Sequence, residues 1–143
     1  MIFVDQNGEP KVIFHKCDNS RKGKQISKSE LQKFGIELLI DLYQQQGMTI
    51  KDINRIDGFE FPQFVMESRN GKLYYVAVKT TTYPNDPFGL TKDDSNEIKR
   101  LAIQFEATPV FAGLAFANAS SSDMTKVECG GAFIVSYKGL QQL

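Results

Sequence analysis

From residue 28 to residue 46 apolar side chains recur every three or four positions. At about 100° per residue, Leu31, Phe34, Ile36, Leu38, Leu39, Ile40, Leu42 and Tyr43 cover roughly 240° of a helix circumference. The pattern predicts a helix over Lys28–Gln46 buried on two sides, with Glu30, Lys33, Glu37, Asp41 and Gln44 on the remaining polar stripe. Ser27 or Ser29 can cap its first turn, Ser27-Lys28-Ser29-Glu30 has the spacing of a capping box, and Gly47 can close it in a left-handed conformation.

Elsewhere the period shortens to that of strands. Ile2-Phe3-Val4 and Val12-Ile13-Phe14 flank turn residues that include Asn7-Gly8 and Pro10, which predicts an N-terminal hairpin followed by a polar loop over Lys16–Lys24. Met48–Ile56 alternates as a strand. Asp57-Gly58 then turns the chain into a strand over Phe59–Ser68, and Asn70-Gly71 returns it as a strand over Leu73–Thr82. Two prolines and a glycine make Tyr83–Gly89 a loop. A second helix is expected from Lys92 or Asp93 to Phe105, with Asp93, Asp94 and Ser95 suited to its start and Ile98, Leu101, Ala102 and Phe105 on one face. The small and apolar run Pro109–Ala117 reads as a central strand buried on both faces; Asn118–Asp123 reads as a surface loop and Ala132–Tyr137 as a last strand. The result is an α/β chain with a mixed central sheet flanked by helices. No linker or repeat divides it, so 1–143 is taken as one domain: hairpin and basic loop to 26, a core over 27–117, and a loop and final strand over 118–143.

Composition narrows the functional classes without selecting one. The chain has 143 residues, enough for one core. Its 17 basic and 17 acidic side chains cancel, so nothing global favours a polyanion. A local surplus lies between Lys11 and Lys33, where seven basic residues face only Asp18 and Glu30. Within it Lys16, Arg21, Lys22, Lys24 and Lys28 are the candidate nucleic-acid contacts, against the plainer reading of a solvated loop and helix start. Cys17 and Cys129 form no zinc spacing. His15, the single histidine, reads as a strand-end residue rather than a base. The first residues lack a basic segment and apolar core for secretion, and no apolar run approaches the roughly 20 residues that span a bilayer. Cytoplasmic location, reduced thiols and no membrane association are the expectation; the oligomeric state is unreadable.

The segment from Pro62 to Thr80 carries the strongest chemical pattern. Pro62-Gln63 precedes one strand, and Ala77-Val78-Lys79 lies on the next, beyond a turn at Asn70-Gly71. This resembles the catalytic hairpin of the PD-(D/E)XK nuclease superfamily, and the order helix, three strands, helix, strand from Ser27 to Ala117 resembles that family's αβββαβ restriction-endonuclease-like core. The resemblance places the family's acidic positions at Glu37, Gln63 and Ala77, and its lysine at Lys79. It implies a Mg²⁺ site that activates water against a phosphodiester. Gln63 offers one neutral oxygen and Ala77 offers none, so the resemblance implies the fold without the family's metal site, and hence a non-catalytic binding or regulatory module whose partner is nucleic acid or another protein. One alternative is an active Mg²⁺-dependent nuclease with displaced carboxylates, Glu37 and Glu60 being the metal ligands; Glu67 lies roughly 13 Å along the strand from Gln63. The other is an unrelated α+β protein-interaction domain. Hairpin register separates them. A three-residue loop, Arg69-Asn70-Gly71, pairs Gln63 with Ala77 on the face of Lys79, whereas a two-residue turn puts Gln63 on the opposite face. The three-residue loop is expected.

Overall fold

The structure is a computed structural model that describes residues 11–55 and 62–143. The expected strand over 2–4 and turn over 5–10, as well as Glu60, lie outside the described residues. Among those described, the elements in chain order are β1 (Val12–Phe14), α1 (Lys28–Gln45), β2 (Thr49–Lys51), β3 (Phe64–Glu67), β4 (Leu73–Thr82), α2 (Lys92–Gln104), β5 (Thr108–Asn118), β6 (Ala132–Tyr137) and β7 (Gln141–Gln142). They build one mixed sheet of seven strands in the order β1-β6-β5-β4-β3-β2, with β7 beside β5. Its single parallel pair, β4 with β5, is the pair joined through α2, as a parallel connection needs a crossover. The expected succession of helix, three strands, helix and strand is present.

Each helix covers one sheet face. In α1, Leu31, Ile36, Leu39, Ile40 and Tyr43 pack on Phe64, Met66, Val76, Val78, Leu114 and Phe116. On the other face Ile98 and Ala102 of α2 meet Tyr75, Ala77 and Phe111. β5 is buried from Val110 to Ala117, as expected of a central strand. The rest of the apolar arc of α1, Phe34, Leu38 and Leu42, packs on the core but is only partly covered, and a groove runs past Phe34 and Leu38. The helix is capped by Ser27, whose hydroxyl accepts from Glu30 N–H at 3.1 Å while the Glu30 carboxylate accepts from Ser27 N–H at 2.9 Å. Gly47 follows with φ +88°.

Several boundaries differ from the sequence expectation for local reasons. The strand expected over Met48–Ile56 stops at Lys51, because Asp52 takes φ +50° and turns the chain out of the ladder. α2 is capped by Thr91, whose hydroxyl accepts from Asp94 N–H at 3.1 Å; Asp93 and Asp94 instead fill its first turn. β7 continues β6 along β5 with one extra residue in the register, Leu114 opposing Tyr137 and Val110 opposing Gln142. Gly139, at φ +90°, sits in that slip.

Candidate functional site

The β3–β4 hairpin has the three-residue loop. Glu67 pairs with Leu73, Ser68 N–H donates to Lys72 O at 2.9 Å, and Gly71 N–H donates to Ser68 O at 2.9 Å with φ +86° at Gly71. Only a residue that tolerates the left-handed region fits there. Regular continuation from Phe64 opposite Val76 would then set Gln63 opposite Ala77. Instead Gln63 N–H donates to Val76 O at 3.0 Å, so Gln63 and Phe64 share Val76 as partner in a β-bulge. The expected pairing of Gln63 with Ala77 is thus replaced by a bulge at the strand's first residue.

The bulge changes what the Gln63 side chain does. A strand's N–H and C=O groups lie in the sheet plane, and at Val78 both are taken by side chains. Gln63 Oε1 accepts from Val78 N–H at 2.6 Å, and Gln32 Nε2 of α1 donates to Val78 O at 2.9 Å. Thr80 Oγ1 closes the network by donating to Gln32 Oε1 at 2.8 Å. Gln63 and Gln32 are essentially inaccessible, at 0% and 1% exposure. Two amides and a hydroxyl therefore continue the edge of β4 where β3 has ended. Gln32 was not among the residues singled out from the sequence, yet it shares the spacing of Ile36, Leu39 and Tyr43 on the buried side of α1; a polar residue on that stripe was its signal.

The other expected site residues stand apart from this network. Glu37 lies five residues along α1 from Gln32, about 140° further around the helix, on the solvated stripe and paired with Arg55. Ala77 is fully buried against α2. Lys79 shares Ala77's face by alternation, and its ammonium donates to Gly89 O at 3.0 Å. Lys79 is opposite Gly113 in the β4–β5 register, and Pro87 O would come within 2.1 Å of a Cβ at Gly113. Phe88 follows in the same loop, with Lys138 Nζ 4.3 Å from its ring centre. Two lysines and a bare backbone position thus hold the Tyr83–Gly89 loop on the sheet. The four positions the resemblance singled out share no point where an ion could sit. Their donor set, one amide, one methyl, one ammonium and a distant ion-paired carboxylate, does not fit Mg²⁺. Among the described residues no group of three or more His, Cys, Asp or Glu side chains has metal-holding geometry.

A second constellation surrounds the N-terminus of α1. A groove of about 860 Å³ runs between the polar stripe of α1 and the segment from Ile13 to Arg21, and Lys16, Lys33, Phe34 and Leu38 line it. Glu30 is its hub: Arg21 donates through Nη2 to Oε1 at 2.6 Å and through Nε to Oε2 at 3.3 Å, and Cys129 Sγ donates to Oε2 at 3.0 Å. Arg21, then Cys129 and the Ser27 backbone, hold the Glu30 carboxyl well below the usual range. Burial, then Glu30, pushes the Cys129 thiol up to about 11. His15 is buried, its ring against Phe34 and Phe133, and its Nδ1 accepts from Gly130 N–H at 3.0 Å. Desolvation lowers its pKa, which keeps the imidazole neutral. Of the basic candidates, Arg21 is committed to Glu30, whereas Lys16, Lys22, Lys24 and Lys28 are exposed.

Fold and site together define a mixed α/β protein in which two buried amides take up the backbone groups of Val78 that no neighbouring strand pairs. The chain belongs to the family described as a domain of unknown function, DUF8840, whose model matches residues 29–143. A comparison with curated proteins finds no match. Among solved structures, the chain is similar to Archaeoglobus fulgidus Hjc, a Holliday junction resolvase from an archaeal hyperthermophile, at 20% identity and a TM-score of 0.41. That match covers 55% of this chain and 63% of the other, less than two thirds of its length. Among the described residues no helix is long and apolar enough to cross a membrane.

Proposed function

We propose that this chain is a non-catalytic binding module built on a PD-(D/E)XK nuclease-like core, with nucleic acid as its partner class. The observation that carries the reading is the buried network of Gln63, Gln32, Thr80 and Val78. It satisfies the sheet edge with neutral groups where metal-dependent cleavage would need converging charged oxygens. The order of elements supports the core; the hairpin has the expected three-residue loop, but the bulge takes Gln63 out of the pairing with Ala77 on which the hairpin's own support depended. The exposed Lys16, Lys22, Lys24 and Lys28, of which Lys16 lines the α1 groove, supply the phosphate contacts in this reading.

Two measurements test it. In a cleavage assay with Mg²⁺ or Mn²⁺ on single- and double-stranded DNA and RNA, the wild type is expected to be silent; cleavage that disappears in Lys79→Ala would establish the active nuclease instead. In binding titrations on the same substrates, affinity is expected to fall steeply with salt and to weaken when Lys16, Lys22 and Lys24 are changed to Gln. A salt-independent response would point to a protein partner. Restoring acids by Gln63→Asp with Ala77→Glu is a poor test, because residue 77 packs on Ile98 and Ala102 and a glutamate there would bury a charge.

A further inference from the structure

The loop from Lys16 to Lys24 returns beside the segment that carries the second cysteine, Cys129. Gly23 N–H donates to Cys129 O at 3.0 Å and Cys129 N–H donates to Lys24 O at 2.8 Å, while His15 N–H donates to Gly131 O at 3.0 Å. Both ends of the loop are thereby pinned to the segment 129–131. Between them Cys17 folds back on the same segment: a Cβ built on Gly130 would stand 3.3 Å from Cys17 Sγ. Cys17 is half-buried in the wall of the groove, and Cys129 is 1% exposed behind it. Neither thiol has a part in the proposed nucleic-acid reading.

We propose that Cys17 and Cys129 form a dithiol couple that a small disulfide of the glutathione type converts into an intramolecular disulfide, fastening the 16–24 loop to the sheet. Cys17 reacts first because the groove gives it access. Its thiolate attacks one sulfur of the oxidised glutathione, forming a mixed disulfide and expelling one glutathione thiolate, which takes up a proton. Cys129 then gives up its proton, turns from Glu30 and attacks the Cys17 sulfur. That closes the protein disulfide and expels the second glutathione. The protein loses two protons and two electrons, and one oxidised glutathione takes them up to become two reduced ones. Closure removes the Cys129 hydrogen bond from Glu30, which completes the Ser27 capping box of α1 and holds Arg21. Oxidation state is thus coupled to the start of α1 and to the shape of the groove. Because burial and Glu30 raise the Cys129 thiol to about 11, the second step should accelerate with pH throughout the neutral and mildly alkaline range.

The test equilibrates the full chain with oxidised glutathione at micromolar protein and reads thiol count, intact mass and linked peptides. The expected result is monomeric protein with both thiols lost, no glutathione retained, and a disulfide-linked pair of peptides containing Cys17 and Cys129. In Cys129→Ala the glutathione adduct on Cys17 should persist, and in Cys17→Ser the buried Cys129 should stay reduced. A persistent glutathione adduct on the wild type, two free thiols after equilibration, or a disulfide between two chains would each overturn the proposal. The wild-type measurement decides even where a variant fails to fold.

Discussion

Val78 gives both its backbone groups to side chains instead of a neighbouring strand, so Gln63 and Gln32 set the stability of this end of the sheet. Replacing Gln63 with Leu leaves a buried N–H without its acceptor, and the expected cost in chemical denaturation is about 1–3 kcal/mol. Gln32→Leu strands Val78 O and Thr80 Oγ1 and should cost a similar amount. Because the two amides meet at one residue, the double variant should fall short of the sum. Two titrating groups at the start of α1 contribute to the acid limb of stability. His15 has a lowered pKa in the folded chain, so the unfolded chain binds the proton more readily; stability is complete above the ordinary value of 6.5 and declines as pH falls below it. Glu30 is also lowered but is an acid: its contribution is complete above its ordinary value of 4.5 and is lost as pH falls from there toward its folded value. Measured between neutral pH and the acid transition, stability should therefore decline in two stages, and Glu30→Gln should flatten the lower one.

At the scale of the element, α1 is held at its N-terminus and fitted closely at its middle. The Ser27 and Glu30 box satisfies first-turn donors, and Ser27→Ala is expected to cost about 1 kcal/mol. Gly35 lies where α1 crosses β4, and a Cβ there would come within 2.5 Å of Thr80 Cγ2. Thr80 cannot turn aside without breaking its bond to Gln32. Gly35→Ala would ordinarily strengthen a helix by up to about 1 kcal/mol. Here overpacking of about 1–3 kcal/mol should exceed that gain, and a lower Tm for the variant is the expected result. An unchanged or raised Tm would mean that helix and sheet can separate at this crossing without loss.

At the scale of the molecule, the elements legible in the sequence were those whose signal is local. The limits of β4 at Leu73 and Thr82 were readable because Asn70-Gly71 starts the strand and the prolines after Tyr83 end it. The α1 capping box and the buried run of β5 were readable for similar reasons. The site was less legible because its determining contacts are distant in sequence. The bulge at Gln63 depends on where β3 begins relative to β4, and the use of Gln32 depends on how α1 lies across the sheet. Lys79 reads as an isolated cation until the loop carrying Gly89 is folded over it. The thiol couple depends on Lys16–Lys24 returning beside residue 129. Gly113 has a further consequence. Because Pro87 O occupies the place of a side chain, any side chain at position 113 must lift the loop, and lifting it releases Lys79 from Gly89 and Lys138 from Phe88 together. One glycine thus works as a mechanical latch for a loop that two separate lysines fasten. Gly113→Ala should open it, and the expected result is a lower Tm with faster proteolytic cutting within Tyr83–Gly89 than in the wild type.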